Sequence, residues 1–237
     1  MEMPDSTYFG DALLQAVQQG QVSQSRIDDM AYRILLAMFT VGIFDNPPSG
    51  DLNVDSQSEE HTRLARQLAA EGTVLLKNEE NILPLSHSTV TRIAVIGDDG
   101  HDAPIYAGFG SGYVVPPYVV TPLEGIQQRS KAGTLVTYAN SSQLETAVVH
   151  AKSADVAIVF VGTISSEGWD RESLSLGEEQ DNLVATIAQA QPNTIVVVHT
   201  PGAVLMPWID NVKATLCAFM PGQEDGHAIA SVLFGDV

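Results

Sequence analysis

From about residue 90 onward, apolar residues arrive in short unbroken runs, separated by longer stretches in which they recur every three or four positions. RIAVIG (92–97), TLVTYA (134–139), DVAIVFVG (155–162), TIVVVHT (194–200) and ATLCAFM (214–220) are the runs. They predict five strands. Helical spacing predicts helices at about 61–72, 141–152, 178–189 and 223–233, interleaved with the runs. Continuous apolar strands alternating with amphipathic helices imply an α/β fold: a mostly parallel sheet sandwiched by helices. Ligands of such sheets gather beyond the carboxyl ends of the strands.

The first 45 residues follow a different pattern. A helix is expected from about Gly10 to Gln19, stopped at Gly20. A second begins at Ser25, with Asp28 in the place of a capping-box acid, and ends at Gly42. On it Ile27, Met30, Ile34, Leu35 and Met38 share one face. NPPSGDLNVDSQSEE (46–60) is nearly devoid of apolar residues and reads as an exposed linker. The expected organisation is therefore a helical segment over 1–45, a linker over 46–60 and an α/β domain over 61–237.

Composition narrows the function classes. Apolar residues make up 44% of the 237-residue chain and charged residues 17%, ample for a core. Eleven basic against twenty-nine acidic side chains give −18. That balance repels nucleic acid and anionic membranes. No run of about 18 apolar residues is present to span a bilayer. MEMPDSTYFGD lacks the basic and apolar regions of a secretory signal. The single cysteine, Cys217, lies in a strand-like run and reads as a small buried hydrophobe. The six histidines form no HxxxH or HxH pair, so a metal site has little support. IAVIGDDG has one glycine before two acids that would repel pyrophosphate, and GxSxG is absent. Nucleotide-binding and serine-hydrolase readings are weak.

Two stretches carry candidate chemistry. The strand over 155–162 empties into TISSEGWDR, which sets Glu167 beside Trp169, Asp170 and Arg171. A carboxyl group that donates a proton near neutral pH needs a raised pKa, and burial against an indole would raise it. A solvated loop glutamate is the plainer alternative, as is a structural pairing of Asp170 with Arg171. The other stretch, YAGFGSGYVVPPYVVTPLEGI (106–126), alternates Gly108, Gly110 and Gly112 with Phe109, Ser111 and Tyr113. Such glycines let a backbone turn sharply or approach a ligand closely, and the rings could stack on a sugar. An irregular surface loop is the alternative here.

Taken in order, MEMP and YFG, DALLQAVQQGQV, RILLAMFTVGIFD, LARQLAAEGTVLLKNEENILPL, GFGSGYVVPPYVVTPLEGI, SSEGWDRESLSL and VLFGDV resemble glycoside hydrolase family 3, the β-glucosidase and β-xylosidase group. The resemblance implies a retaining glycosidase with an aspartate nucleophile on a (β/α)8 barrel and an acid/base glutamate on a second domain. Glu167 is the matching glutamate. Phe109 stands where relatives often carry tryptophan, implying an aromatic wall at the leaving-group subsite with Ser111 beside it, and Trp169 is a further candidate for substrate binding. Asp170 and Arg171 would support the loop. No cofactor is implied. The nucleophile motif of relatives, Ser-Asp-Trp, does not occur in the 237 residues. The chain is thus expected to be an internal piece: the last barrel helices, the linker, and most of the sandwich. Its partners would be β-linked glucosides and the barrel of the parent, with enzymes of this kind often secreted. A non-catalytic carbohydrate-binding or scaffolding module is the rival expectation.

Overall fold

The computed structural model describes residues 2–3, 5–51 and 53–237; Met1 and Pro4 of the MEMP match lie outside them. The chain divides into two compact units, with the boundary in sequence between Ser56 and Gln57.

The first unit holds α1 (Asp11–Gln18) and α2 (Gln24–Thr40). The cap of α2 is Ser23, not Ser25. The Ser23 side chain accepts from the Arg26 N–H at 3.2 Å, while the Ser25 hydroxyl is engaged with that of Ser23. Ile27, Met30, Ile34 and Met38 are half-buried along one stripe, whereas Leu35 joins Leu36 and Phe39 on an exposed flank.

The second unit is an α/β sandwich. Six strands, β1 (Val74–Asn78), β2 (Arg92–Ile96), β3 (Leu135–Ala139), β4 (Val156–Gly162), β5 (Thr194–His199) and β6 (Ala214–Cys217), lie in the order β1-β6-β5-β4-β2-β3. All neighbours are parallel except β1, which runs antiparallel to β6 at the sheet edge. Its helices are α3 (Glu59–Gly72), α4 (Pro122–Arg129), α5 (Leu144–Ser153), α6 (Glu178–Ala190) and α7 (Asp225–Phe234). Among the described residues, no helix is long and apolar enough to cross a membrane.

Alternation along each strand sorts the core into two layers. Ile93, Val95, Ile158, Phe160, Ile195, Val197 and Leu216 face α4 and α7, where they meet Leu123, Ile126, Ile229 and Leu233. Ala94, Ile96, Ala157, Val159, Val161, Val196 and Val198 face α5 and α6 and meet Ala147, Ala151, Leu183, Val184 and Ile187. Every residue of β4 and β5 is buried. Full burial of each large side chain is worth roughly 1.5–3 kcal/mol, so the central strands are fixed in place. Their carboxyl ends form a firm platform for the loops that leave them.

Two elements escape the apolar pattern. β1 is a short edge strand whose first three side chains are exposed, so it shows no buried run. α4 is built on a capping box: Glu124 accepts from the Thr121 N–H at 2.9 Å, the Thr121 hydroxyl accepts from the Glu124 N–H at 3.3 Å, and Pro122 opens the helix. β6 is also shorter than the 214–220 run, because the backbone turns to positive φ at Phe219.

Candidate functional site

β4 delivers the chain at Gly162 into residues 163–169, where the loop meets the glycine-rich segment. The two are stitched by backbone. The Phe109 N–H donates to Ser165 O at 3.1 Å, and the Glu167 N–H donates to Phe109 O at 3.3 Å, a one-residue parallel bridge between Phe109 and Ser166. A turn then closes with the Trp169 N–H donating to Ser166 O at 3.1 Å, and Gly168 supplies its positive φ. Glu167 therefore sits within a turn pinned from one side, beyond the carboxyl end of a buried strand.

Its side chain is held as well. The Ser111 N–H donates to Glu167 Oε2 at 2.9 Å. Gly110 makes this contact possible. A Cβ there would lie 2.6 Å from the Glu167 Cβ and 3.0 Å from its nitrogen, and the residue adopts φ +117°. The glycine-rich segment is thus a bracket for Glu167, in which Gly110 is the glycine that the close approach requires. Gly110→Ala should impose roughly 1–3 kcal/mol of backbone strain and push Glu167 off Ser111. NMR of the Ser111 amide would show it as faster hydrogen exchange; unchanged protection would contradict the bracket.

The Ser111 hydroxyl and backbone N–H beside Glu167 hold its carboxyl below the usual carboxylate range. This departs from the expectation of a pKa raised by an indole. The turn directs Glu167 to the glycine segment, and Trp169 stays 55% exposed, so the indole does not enclose the carboxyl group. Phe109 is 54% exposed on the same surface, its ring centroid 5.5 Å from that of Tyr113. The structure thus gathers Glu167, Ser111 and Phe109 by direct contacts and leaves Trp169 open at the end of the turn.

Arg171 reaches elsewhere. Its Nη2 donates to Ala203 O at 2.9 Å, tying the loop to the segment after β5. Among the described residues it forms no ion pair with Asp170, which is exposed. The expected pairing of these neighbours is therefore replaced by an anchor from Arg171 to a backbone carbonyl.

Behind the loop lies a cluster that the sequence pattern did not single out as a unit. His199, fully buried at the end of β5, places Nδ1 2.6 Å from Asp99 Oδ2 and Nε2 3.1 Å from Asp225 Oδ1. The two carboxylates push the imidazole pKa well above its ordinary value against the opposing effect of burial. Burial raises that of Asp225. Cys217 is buried in β6, and burial pushes its thiol up too, an inert environment. An open crevice of about 750 Å³ lies where the strand order reverses between β2 and β4. Several of its polar groups serve one another. Asp98 and Ser141 exchange two hydrogen bonds, and Gln180 bonds both polar groups of the Gly162 backbone. With Asp98 and Asp99 where a phosphate loop would stand, this crevice gives a nucleotide no foothold.

Comparison with known proteins shows the family and the fold of the chain. Residues 73–237 match the glycosyl hydrolase family 3 C-terminal domain. The chain is 37% identical over 267 residues to probable β-glucosidase L of Aspergillus terreus, an alignment covering 99% of this chain and 36% of that protein. It is 37% identical over 251 residues to thermostable β-glucosidase B of Acetivibrio thermocellus, covering 100% of this chain and 32% of the relative. Among solved structures, a β-glucosidase from Streptomyces venezuelae in complex with D-glucose superposes with a TM-score of 0.89 at 26% identity, over 99% of this chain and 44% of that one. The β-D-glucoside glucohydrolase from Trichoderma reesei superposes with a TM-score of 0.82 at 36% identity, over 96% and 36%. The chain spans about a third of the length of the curated relatives it matches.

Proposed function

The chain belongs to glycoside hydrolase family 3, and from that membership we propose that it supplies the acid/base half of a retaining β-glucosidase acting on terminal β-linked glucosyl residues. Glu167 is the proton donor in this reading. The observation that carries it is the bracket: a carboxyl group open to the outside, beyond the end of β4, fixed through both its backbone and its Oε2 to the glycine-rich segment. Catalytic groups need such positional control, because small misplacements lower rates strongly.

The steps follow from the chemistry of a retaining pair. Glu167 gives its proton to the glycosidic oxygen as an aspartate of the barrel attacks the anomeric carbon. The aglycone leaves, and a covalent glycosyl-enzyme remains. The Glu167 carboxylate then takes a proton from the water that attacks the same carbon and frees the aspartate. The donors of Ser111 favour the basic form needed in the second step. The acidic form needed in the first is favoured by the nucleophile's negative charge roughly 5 Å away and by a sugar that covers the site. Phe109 and Trp169 present apolar ring faces on which the leaving sugar can stack, with Ser111 beside them.

Since no Ser-Asp-Trp occurs in the 237 residues, these residues alone should turn over an aryl β-glucoside little or not at all. A rate comparable with that of an intact family enzyme would contradict the reading. One observation favours a second reading, a carbohydrate-binding module without chemistry: Phe109 and Trp169 are both exposed on segments joined to the turn of Glu167, whose carboxyl group is held below the usual range. Under it, glucose would shift Trp169 fluorescence, and Glu167→Ala would leave catalysis intact in a barrel-bearing enzyme.

A further inference from the structure

We propose that His199, held as a buried imidazolium between Asp99 and Asp225, is a positioning residue that sets the Ser111–Glu167 contact from behind. Hydrogen-bond geometry comes first. Each ring nitrogen faces a carboxylate oxygen, at 2.6 Å and 3.1 Å. A neutral imidazole has only one N–H, whereas the imidazolium donates in both directions. The three side chains are nearly or fully excluded from solvent, so the charges answer one another instead of water.

The cluster touches every segment that forms the bracket. Asp99 uses its second oxygen, Oδ1, to accept from the Ile105 N–H at 2.6 Å, just before the chain becomes the glycine-rich segment. The His199 carbonyl accepts from the Thr163 N–H at 3.0 Å, at the root of the Glu167 loop. Asp225 opens α7. Its own N–H donates to Gly222 O at 3.2 Å, and the Gly222 N–H donates to Tyr106 O at 2.9 Å. Gly226 and Gln223 exchange backbone bonds with Val120, at the far end of the same segment. The imidazolium holds the Asp99 and Asp225 side chains directly and reaches the entry to the bracket through Asp99, while the root of the Glu167 loop is joined to the backbone of His199 and Gly222 to the backbone of Asp225. There is no slack at this junction: a Cβ on Gly162 would strike the His199 carbonyl and lie 2.8 Å from Ile105 Cδ1.

Its bearing on catalysis rests on the role proposed for Glu167; the mechanical coupling does not. The test uses the 237-residue chain labelled with ¹⁵N and ¹³C. The wild-type ring of His199 should show protons on both nitrogens at neutral pH. In His199→Gln and Asp225→Asn, the Ser111 amide should exchange about tenfold faster, the scale of coupling within one hydrogen-bonded network. The Glu167 carboxyl should then titrate higher, toward its ordinary range, while cooperative melting is retained. A ring with one bare nitrogen overturns the proposal by itself, whatever the variants do. So does a folded variant in which Ser111 protection and the Glu167 titration are unchanged, since a merely structural histidine would alter melting alone. Failure of the acid/base reading would instead appear in the kinetics of Glu167 variants and leave these spectra as they are.

Discussion

Replacing Glu167 with alanine, in an enzyme that joins the 237 residues to a family barrel, should slow hydrolysis of an alkyl β-glucoside by about 10²–10⁴-fold, the usual contribution of a positioned general acid. A dinitrophenyl β-glucoside should lose far less in its first step, because that leaving group departs without a proton. The contrast arises because Glu167 is asked to protonate the departing oxygen and nothing else in that step. A burst of dinitrophenol before the steady state would follow, as the second step has also lost its base. Stopped-flow measurement on the two substrates checks both points. Equal losses on both would mean that Glu167 shapes the site without moving a proton.

The second large effect concerns stability. His199→Ala leaves Asp99 and Asp225 buried with no cation between them, and breaking a buried charge group in this way costs about 3–5 kcal/mol. Urea unfolding of the 237-residue chain should show a loss of that order. The native pH dependence follows in sign. The His199 pKa is raised well above its ordinary value and that of Asp225 is raised as well. The folded cluster therefore binds more protons than the unfolded chain, and its stabilisation diminishes as pH rises. The His199 contribution is complete below about pH 6.5, the ordinary histidine value, and is lost as pH climbs through the raised value. In His199→Ala the alkaline part of this slope should vanish. A midpoint that stays level with alkalinity in the wild type would show that the ring is neutral in the fold.

Much of the sandwich was legible because β2, β4 and β5 are buried on both faces and so read as unbroken apolar runs. The elements that lack such runs went unread. β1 is an edge strand with exposed side chains. α4 offers only eight residues, although Thr-Pro-Leu-Glu at its start spells its capping box. The same logic separates the parts of the candidate site. Glu167 stood out as a carboxylate just past a core strand, and Gly110 as one of three alternating glycines. The bond from the Ser111 N–H to Glu167 did not, since it joins residues 56 apart. The lowered pKa of Glu167 is not legible locally, because Trp169 is near in sequence but its indole is more than half exposed, while the Ser111 donors are distant in sequence and adjacent in space. Asp99 was read only as an obstacle to pyrophosphate. That it would meet His199 and Asp225 depends on three strand and helix ends converging, which local pattern does not encode.

The most direct test of the central claim, that Glu167 exchanges protons with the leaving group and then with water, is product analysis of the Glu167→Ala enzyme in azide. Azide fits the space vacated by the carboxylate and attacks the anomeric carbon of the glycosyl-enzyme as its bond to the aspartate breaks, with no base required. The account predicts an azide-dependent gain in turnover of dinitrophenyl β-glucoside, with β-glucosyl azide as the product seen by proton NMR. No gain in rate and no glucosyl azide, from a variant that still folds and binds substrate, would contradict it.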